Sequence, residues 1–252
     1  MKSPEKYKYW DTHLDPGNLK EKEINVGKYI SFLECEEELS FAINNWKKES
    51  IVVDLGTGLG QYAIYLAQNG YKVIALDISF KRLKILKKYL EEKYPTLPIY
   101  LIQASGENLP FKNNGIDFFF THSVLIHTDI KKTLQEIKFS MKKGASFIEP
   151  SIYNPFVNIY RKFFAPREWK KITNYFTQKT LQHFLETFEN GYSIQIRTYH
   201  FFNFLSYFWE FAVKNKKLFC ISSKIIGKID SFLSNVKNKY FWMYVIKVSC
   251  KK

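Results

Sequence analysis

Cysteine is scarce in this chain. Cys35, Cys220 and Cys250 are odd in number, far apart and form no CxxC pair, so neither a disulfide framework nor a zinc ribbon is indicated and no metal is expected. Long apolar runs are missing too. The most apolar window, Tyr199 to Val213, is interrupted by Glu210 and falls short of the roughly 20 residues a spanning helix needs. The first residues carry no apolar h-region, so no secretory leader is expected; with the cysteine usage, a reducing, cytoplasmic setting follows. Acids are short as well: 24 Asp+Glu stand against 38 Lys+Arg, a formal net charge of +14. From Asn203 onward ten lysines face only Glu210 and Asp230. Such a basic surface attracts anions in general, so nucleic acid, anionic lipid and phosphorylated small molecules all stay open. No internal repeat or low-complexity tract is present.

At 252 residues the chain is long enough for one large α/β domain with a core that needs no staples. It is organised around Ile51 to Gly60, Ile-Val-Val-Asp-Leu-Gly-Thr-Gly-Leu-Gly. The β-branched start suits a strand buried on both faces, and Gly56, Gly58 and Gly60 allow backbone angles and close approach that a Cβ would forbid. A helix over Gln61 to Gln68, stopped by Asn69-Gly70, follows. Further strands are expected at Tyr71 to Asp77, Pro98 to Gln103, Gly115 to Thr121 and Ala145 to Glu149. Between them lie a helix capped by Ser79 with Leu83, Leu86 and Leu90 on one face, and a stripe Ile130, Leu134, Ile137, Met141 closed by Gly144. Strand and helix alternating in this way predict a parallel sheet with helices on both faces. Ligands in such sheets sit beyond the carboxyl ends of the strands.

Two alternating runs, Tyr192 to Ile196 and Trp242 to Val248, supply the last strands, about seven in all. The stretch from about 201 to 240 between them reads as an inserted helical pair. Residues 1–47 form a helical lead-in in which Tyr9, Trp10 and His13 could fold over the site as a lid, a disordered lead-in being the commoner arrangement for such a segment; residues 48–252 form the main domain. Within the insertion, Leu218, Ile221, Ile225, Ile229, Phe232 and Val236 keep one helical face with lysines around it. A helix packed on its own domain is the commoner arrangement for that pattern; a basic amphipathic helix on an anionic membrane surface is the other.

The glycine loop departs from the dinucleotide fingerprint, because Gln61 stands where G-x-G-x-x-G wants a small residue and Asp54 precedes the first glycine. The pattern D-x-G-x-G-x-G, with Asp77 ending the next strand, resembles the class I S-adenosylmethionine-dependent methyltransferases. Ser105-Gly106-Glu107-Asn108-Leu109-Pro110-Phe111, Ile116-Asp117 and Val124-Leu125-Ile126-His127 resemble the small-molecule branch typified by ubiquinone and menaquinone biosynthesis methyltransferases (methyltransferase type 11). The resemblance covers about residues 48–150. It implies a Rossmann-like, seven-stranded, mostly parallel α/β sheet with N-terminal helices and a helical insertion before the last strand.

It further implies S-adenosyl-L-methionine as cofactor. Asp54, Gly56, Thr57, Gly58 and Gly60 would hold its methionine half, Asp77 its ribose hydroxyls and Ile78 an adenine face, with Ser105, Gly106, Glu107 and His122 around it. Ser105 replaces an acid common in the family, Ile126 a common Glu, and Lys143-Gly144-Ala145 a common Pro-Gly-Gly. His127 is the candidate base, since the family places a residue here near the methyl; a packed or capping histidine is an equal alternative. Phe156, Tyr160 and Phe208 are expected to line an apolar acceptor pocket. Asn154-Pro155-Phe156 resembles part of the Asn-Pro-Pro-Tyr of amino-methylating enzymes, but follows the fifth strand and so reads as a turn. The expected activity is methyl transfer to a small-molecule or lipid-like acceptor, at oxygen. An RNA methyltransferase using the basic C-terminal region and a catalytically silent cofactor-binding subunit are the alternatives.

Overall fold

A computed structural model describes residues 9–11, 36–163, 173–202, 216–234 and 240–251. In chain order the elements are α1 (Glu36–Ile43), β1 (Ile51–Leu55), α2 (Gln61–Gln68), β2 (Lys72–Asp77), α3 (Phe80–Lys93), β3 (Ile99–Gln103) and β4 (Ile116–His122). A 3-10 turn (Leu125–His127), α4 (Ile130–Ser140), β5 (Met141–Pro150), α5 (Pro155–Phe163), α6 (Gln178–Phe188), β6 (Tyr192–Tyr199), α7 (Lys216–Ser234) and β7 (Met243–Cys250) follow. Seven strands form one sheet in the order β3-β2-β1-β4-β5-β7-β6. The β1–β2, β1–β4 and β2–β3 pairs are parallel, with Asp54 opposite Ala75 and Leu55 opposite Leu76. This is the Rossmann-like α/β arrangement expected, with its strand-order reversal between β1 and β4.

Two compact units divide the described residues: 9–11, 45–145 and 249–251 in one, and 36–44 with the described part of 146–248 in the other. The first has its core in the central strands. Val52, Val53, Phe119 and Phe120 are fully buried, as β-branched and aromatic runs covered on both faces require. Trp46 stacks on Phe118 at 4.5 Å between ring centroids and meets Tyr71 edge-on at 6.0 Å. Asp117 serves the frame: its carboxylate accepts from Ile51 N–H at 3.0 Å and pairs with Lys143 at 2.8 Å, joining the starts of β1, β4 and β5. Ser79 caps α3 as expected, accepting from Arg82 N–H at 3.2 Å, and Leu83, Leu86 and Leu90 are buried.

The fifth strand is longer than expected. Met141 and Gly144 lie in β5 rather than ending α4. The chain turns extended at Met141 (φ −81°, ψ 132°), so the apolar stripe counted as helical at Met141 is already the first inward residue of a strand.

The second unit is built on Phe147, Phe184 and Phe188, whose rings meet at 4.8 to 6.2 Å. Asn154 is a polar hub there. Its Oδ1 accepts from Val157 N–H at 2.9 Å, the side-chain N-cap of α5, while its amide donates to Phe201 O and Tyr240 O; Pro155 at the first helical position fits this start. His200 and Glu38 form a buried pair at 2.5 Å. One inserted helix, α7, is described, and the rest of the predicted pair lies outside the described residues. No helix among the described residues is long and apolar enough to cross a membrane.

Candidate active site at the carboxyl ends of β1 and β2

The site is built in the first unit, where two parallel strands end in acids and the glycine loop turns between them. Gly56, Gly58 and Gly60 all have positive φ (71°, 59° and 85°), a region open to glycine and costly for other residues. Their surroundings differ. A Cβ on Gly56 would come within 2.5 Å of Val124 Cγ2, and one on Gly60 would strike Leu86, whereas one on Gly58 would meet only Arg82 Nη1 at 3.6 Å. Gly56 and Gly60 are thus demanded by the protein's own packing, and Gly58 keeps the loop's crest bare where a ligand would approach.

Asp54 is buried, and its Oδ2 accepts from the Thr57 hydroxyl at 2.6 Å. Burial lifts its carboxyl from the ordinary 3.8 to about 7; the Thr57 bond opposes this, the like charge of Asp77 adds to it and His122 opposes it. Asp77 is also raised, chiefly by burial, against the pull of the Ser79 and Gly58 N–H groups and Arg82. Its two oxygens accept from Ser79 N–H and Gly58 N–H, each at 2.8 Å. Two buried acids whose burial opposes their charging, set around a bare glycine, suit a ligand with hydroxyls and a cationic group, which would recover the energy that burial withholds from the charged carboxylates.

The remaining expected residues fall as follows. Ile78 is half-buried beside this acid, and its carbonyl accepts from Gln103 Nε2 at 3.2 Å. Ser105 makes a tight turn, its hydroxyl accepting from Glu107 N–H at 3.2 Å and its carbonyl from Asn108 N–H at 3.0 Å. Ser105, Glu107, Asn108 and Gln103 line a cavity of about 480 Å³. Glu107 Oε1 accepts from Asp129 N–H at 2.9 Å, so it also holds the start of α4. Gly106 is packed: a Cβ there would touch Thr133 and Leu55 at 3.4 and 3.5 Å. His122 stacks on Tyr62 at 4.7 Å. Phe156 belongs to the second unit, packed on Phe201 and Phe202; the Tyr160 side chain and Phe208 lie outside the described residues, as does His13.

His127, half-buried in the 3-10 turn, meets the Trp10 ring edge-on at 4.9 Å. Trp10 in turn covers the Arg82 guanidinium at 4.7 Å. Asp11 completes the attachment, accepting from the Ser79 hydroxyl at 2.5 Å and from Lys81 N–H at 3.3 Å. Residues 9–11 therefore dock on the first turn of α3 and on His127. Burial lowers the Arg82 pKa while Asp77, Tyr9 and Asp11 hold it up, and its buried Nε has no hydrogen-bond partner. Arg82, Asp11 and Gln103 are the site residues that sequence patterns did not single out. For Arg82 a signal existed in its place one turn into a helix whose cap follows Asp77; for Asp11 there was none.

A methyltransferase domain family matches residues 53–148, the span from inside β1 to inside β5 that carries the glycine loop, both acids and His127. Over those residues the chain is similar to methyltransferase domains. It resembles sarcosine/dimethylglycine N-methyltransferase of Aphanothece halophytica, 26% identical over 147 residues, covering 56% of this chain and 52% of the relative. It also resembles the ubiquinone/menaquinone biosynthesis C-methyltransferase of Wigglesworthia glossinidia brevipalpis, 28% identical over 131 residues, covering 48% and 50%. The chain spans about half the length of the curated relatives it matches. In fold it is similar to magnesium protoporphyrin IX methyltransferase from Synechocystis, with a TM-score of 0.62 at 13% identity, covering 99% of this chain and all of that one. S-adenosylmethionine is the family's cofactor, and the bare crest at Gly58 between two buried acids fits it.

Proposed function

We propose that the protein transfers the methyl group of S-adenosylmethionine to a small-molecule or lipid-like acceptor, at oxygen. The observation that carries this reading is the pair of buried carboxylates, Asp54 and Asp77, flanking a loop whose central glycine is bare. When bound, the cofactor supplies an electrophilic methyl on a sulfonium, so the protein's tasks are positioning and exclusion of water. Asp77 accepts from the ribose hydroxyls. Asp54, with Thr57 and the Gly56–Gly60 backbone, faces the cationic methionine half. Ile78 lies along the adenine, and Ser105, Gly106 and Glu107 border it. His122 neighbours the methionine end. His127 takes the proton that an acceptor hydroxyl must lose, a role neutral imidazole performs near pH 7. Trp10, seated on His127 and Arg82, shuts water from that proton transfer.

The acceptor class is supported by the matched domain and by the relatives' names, which describe small-molecule methylation. The test incubates the protein with methyl-labelled S-adenosylmethionine and a cell extract, then separates lipids, metabolites and RNA. Label in the lipid or metabolite fraction, lost in Asp77→Ala and strongly reduced in His127→Ala, is the expected result. Label in RNA alone would overturn the acceptor class. Binding of S-adenosylhomocysteine with no label anywhere would favour the silent subunit.

A further inference from the structure

Helix α7 carries an apolar row that the described residues do not cover. Ile221, Ile225, Ile229 and Phe232 are 57%, 54%, 47% and 78% exposed. At 3.6 residues per turn they fall within an arc of about 80°. Of the two arrangements open for this pattern, these exposures leave the apolar face without cover among the described residues. The helix is attached by its other side: Asp230, about 180° from Ile221 on the same wheel, is buried and accepts from Phe202 N–H at 2.9 and 3.2 Å. Ile226 and Leu233 on that side are half-covered. Positions Lys217, Lys224 and Lys228 run along one border of the exposed row, and Lys228 is exposed. The helix's single acid is thus turned inward, and every other ionisable charge on it is a lysine. In the same unit, α5 leaves Ile159 and Phe163 exposed with Lys162 beside them.

We propose that α7 docks on an anionic lipid surface, lying in its plane with Ile221, Ile225, Ile229 and Phe232 in the acyl boundary and the lysine border at the headgroups. This goes beyond the proposed reaction and holds whatever the acceptor. Chemistry selects the occupant. Three isoleucines and one phenylalanine give nucleic acid bases a single ring to stack on, not a platform. A second copy would have to meet the same patch across a two-fold axis, bringing lysine borders near each other. An anionic bilayer satisfies both halves of the face, taking up apolar side chains and attracting each lysine.

The experiment is flotation of the full chain with vesicles of phosphatidylcholine alone and of phosphatidylcholine mixed with phosphatidylglycerol, at low and high salt. Binding to the mixed vesicles, absent with phosphatidylcholine alone and weakened by salt, is expected. Lys228→Glu should lower partitioning roughly tenfold, and Ile225→Glu with Phe232→Glu should abolish it, roughly a hundredfold or more. Retained S-adenosylhomocysteine affinity in each variant shows that the methyltransferase domain is intact, so failure here is separable from failure of the proposed reaction. Three results would overturn the proposal: no capture of the unmodified chain by the mixed vesicles, capture indifferent to these substitutions, or a dimer by light scattering that Phe232→Glu disperses while vesicles capture nothing. Competition by soluble glycerol phosphate would likewise replace the surface with a headgroup pocket. The salt dependence of the unmodified chain decides the electrostatic half even where a variant fails to fold.

Discussion

The strand-end loop and helix α7 use glycine in opposite ways. Around Gly56 and Gly60 the protein has packed Val124 and Leu86 into the space a Cβ would take, and the backbone sits at positive φ. Around Gly227, in the middle of α7, nothing lies within 4 Å of where a Cβ would be. The first region is over-determined from inside, so its geometry is available before any ligand arrives. The second is determined on one side only among the described residues. The contrast is between a loop closed from within and a helix face left open among the described residues.

Gly56→Ala breaks that contrast most severely. Positive φ and a clash with a stiff β-branched side chain together cost about 3 kcal/mol, measurable as a fall in the urea midpoint. Gly58→Ala carries the strain without the clash, about 1 kcal/mol, yet should weaken S-adenosylhomocysteine binding by calorimetry at least about tenfold, because its methyl occupies the bare crest. If the two substitutions destabilise equally and bind equally, the distinction between packing glycines and ligand glycines is wrong.

Asp54 gives the next effect, and its sign differs with and without ligand. Its folded pKa, about 7, stands above the ordinary 3.8, so the folded protein holds a proton that the unfolded chain has released. Ligand-free stability therefore falls as pH rises from about 4 to about 7, then levels. Binding that uses the carboxylate runs the other way: S-adenosylmethionine affinity should be roughly tenfold lower at pH 6 than at pH 8. Asp54→Asn should flatten both profiles, raise the ligand-free melting temperature at pH 8 and bind weakly throughout. A pH-independent affinity in the unmodified protein would remove Asp54 from the cofactor's cationic end.

Trp10→Ala should leave the melting temperature nearly unchanged, since residues 9–11 touch the domain only at its surface, but speed S-adenosylhomocysteine release several-fold, as roughly 1 kcal/mol of ring and cation contact is lost. Stopped-flow displacement measures it. Smallest is Gly227→Ala, which should raise stability by about 0.5 to 1 kcal/mol through helix propensity alone and leave cofactor binding untouched.

What could be read from the chain beforehand follows the same division. The loop, the two acids, the Ser79 cap and the succession of strands along the chain were legible because each is specified within a few neighbouring residues or by alternation along the chain. Strand β5 was misjudged at Met141, where helical and strand periodicity coincide for one residue. Arg82 and Asp11 escaped because they matter through contacts across tens of residues, 68 between Asp11 and Ser79. For α7 the periodicity gave the apolar side correctly, but periodicity says which side is apolar and not whether anything lies against it. The cover was assumed, and the described residues do not supply it.

Ser79 has one hydroxyl and two engagements: its oxygen accepts from Arg82 N–H to start α3, and its proton goes to Asp11. The same oxygen thus sits in the helix's first turn and at the tether of the N-terminal segment. A movement of α3 that lengthens one bond must redirect the other, so residues 9–11 are coupled to the Asp77 side of the site through a single rotatable O–H.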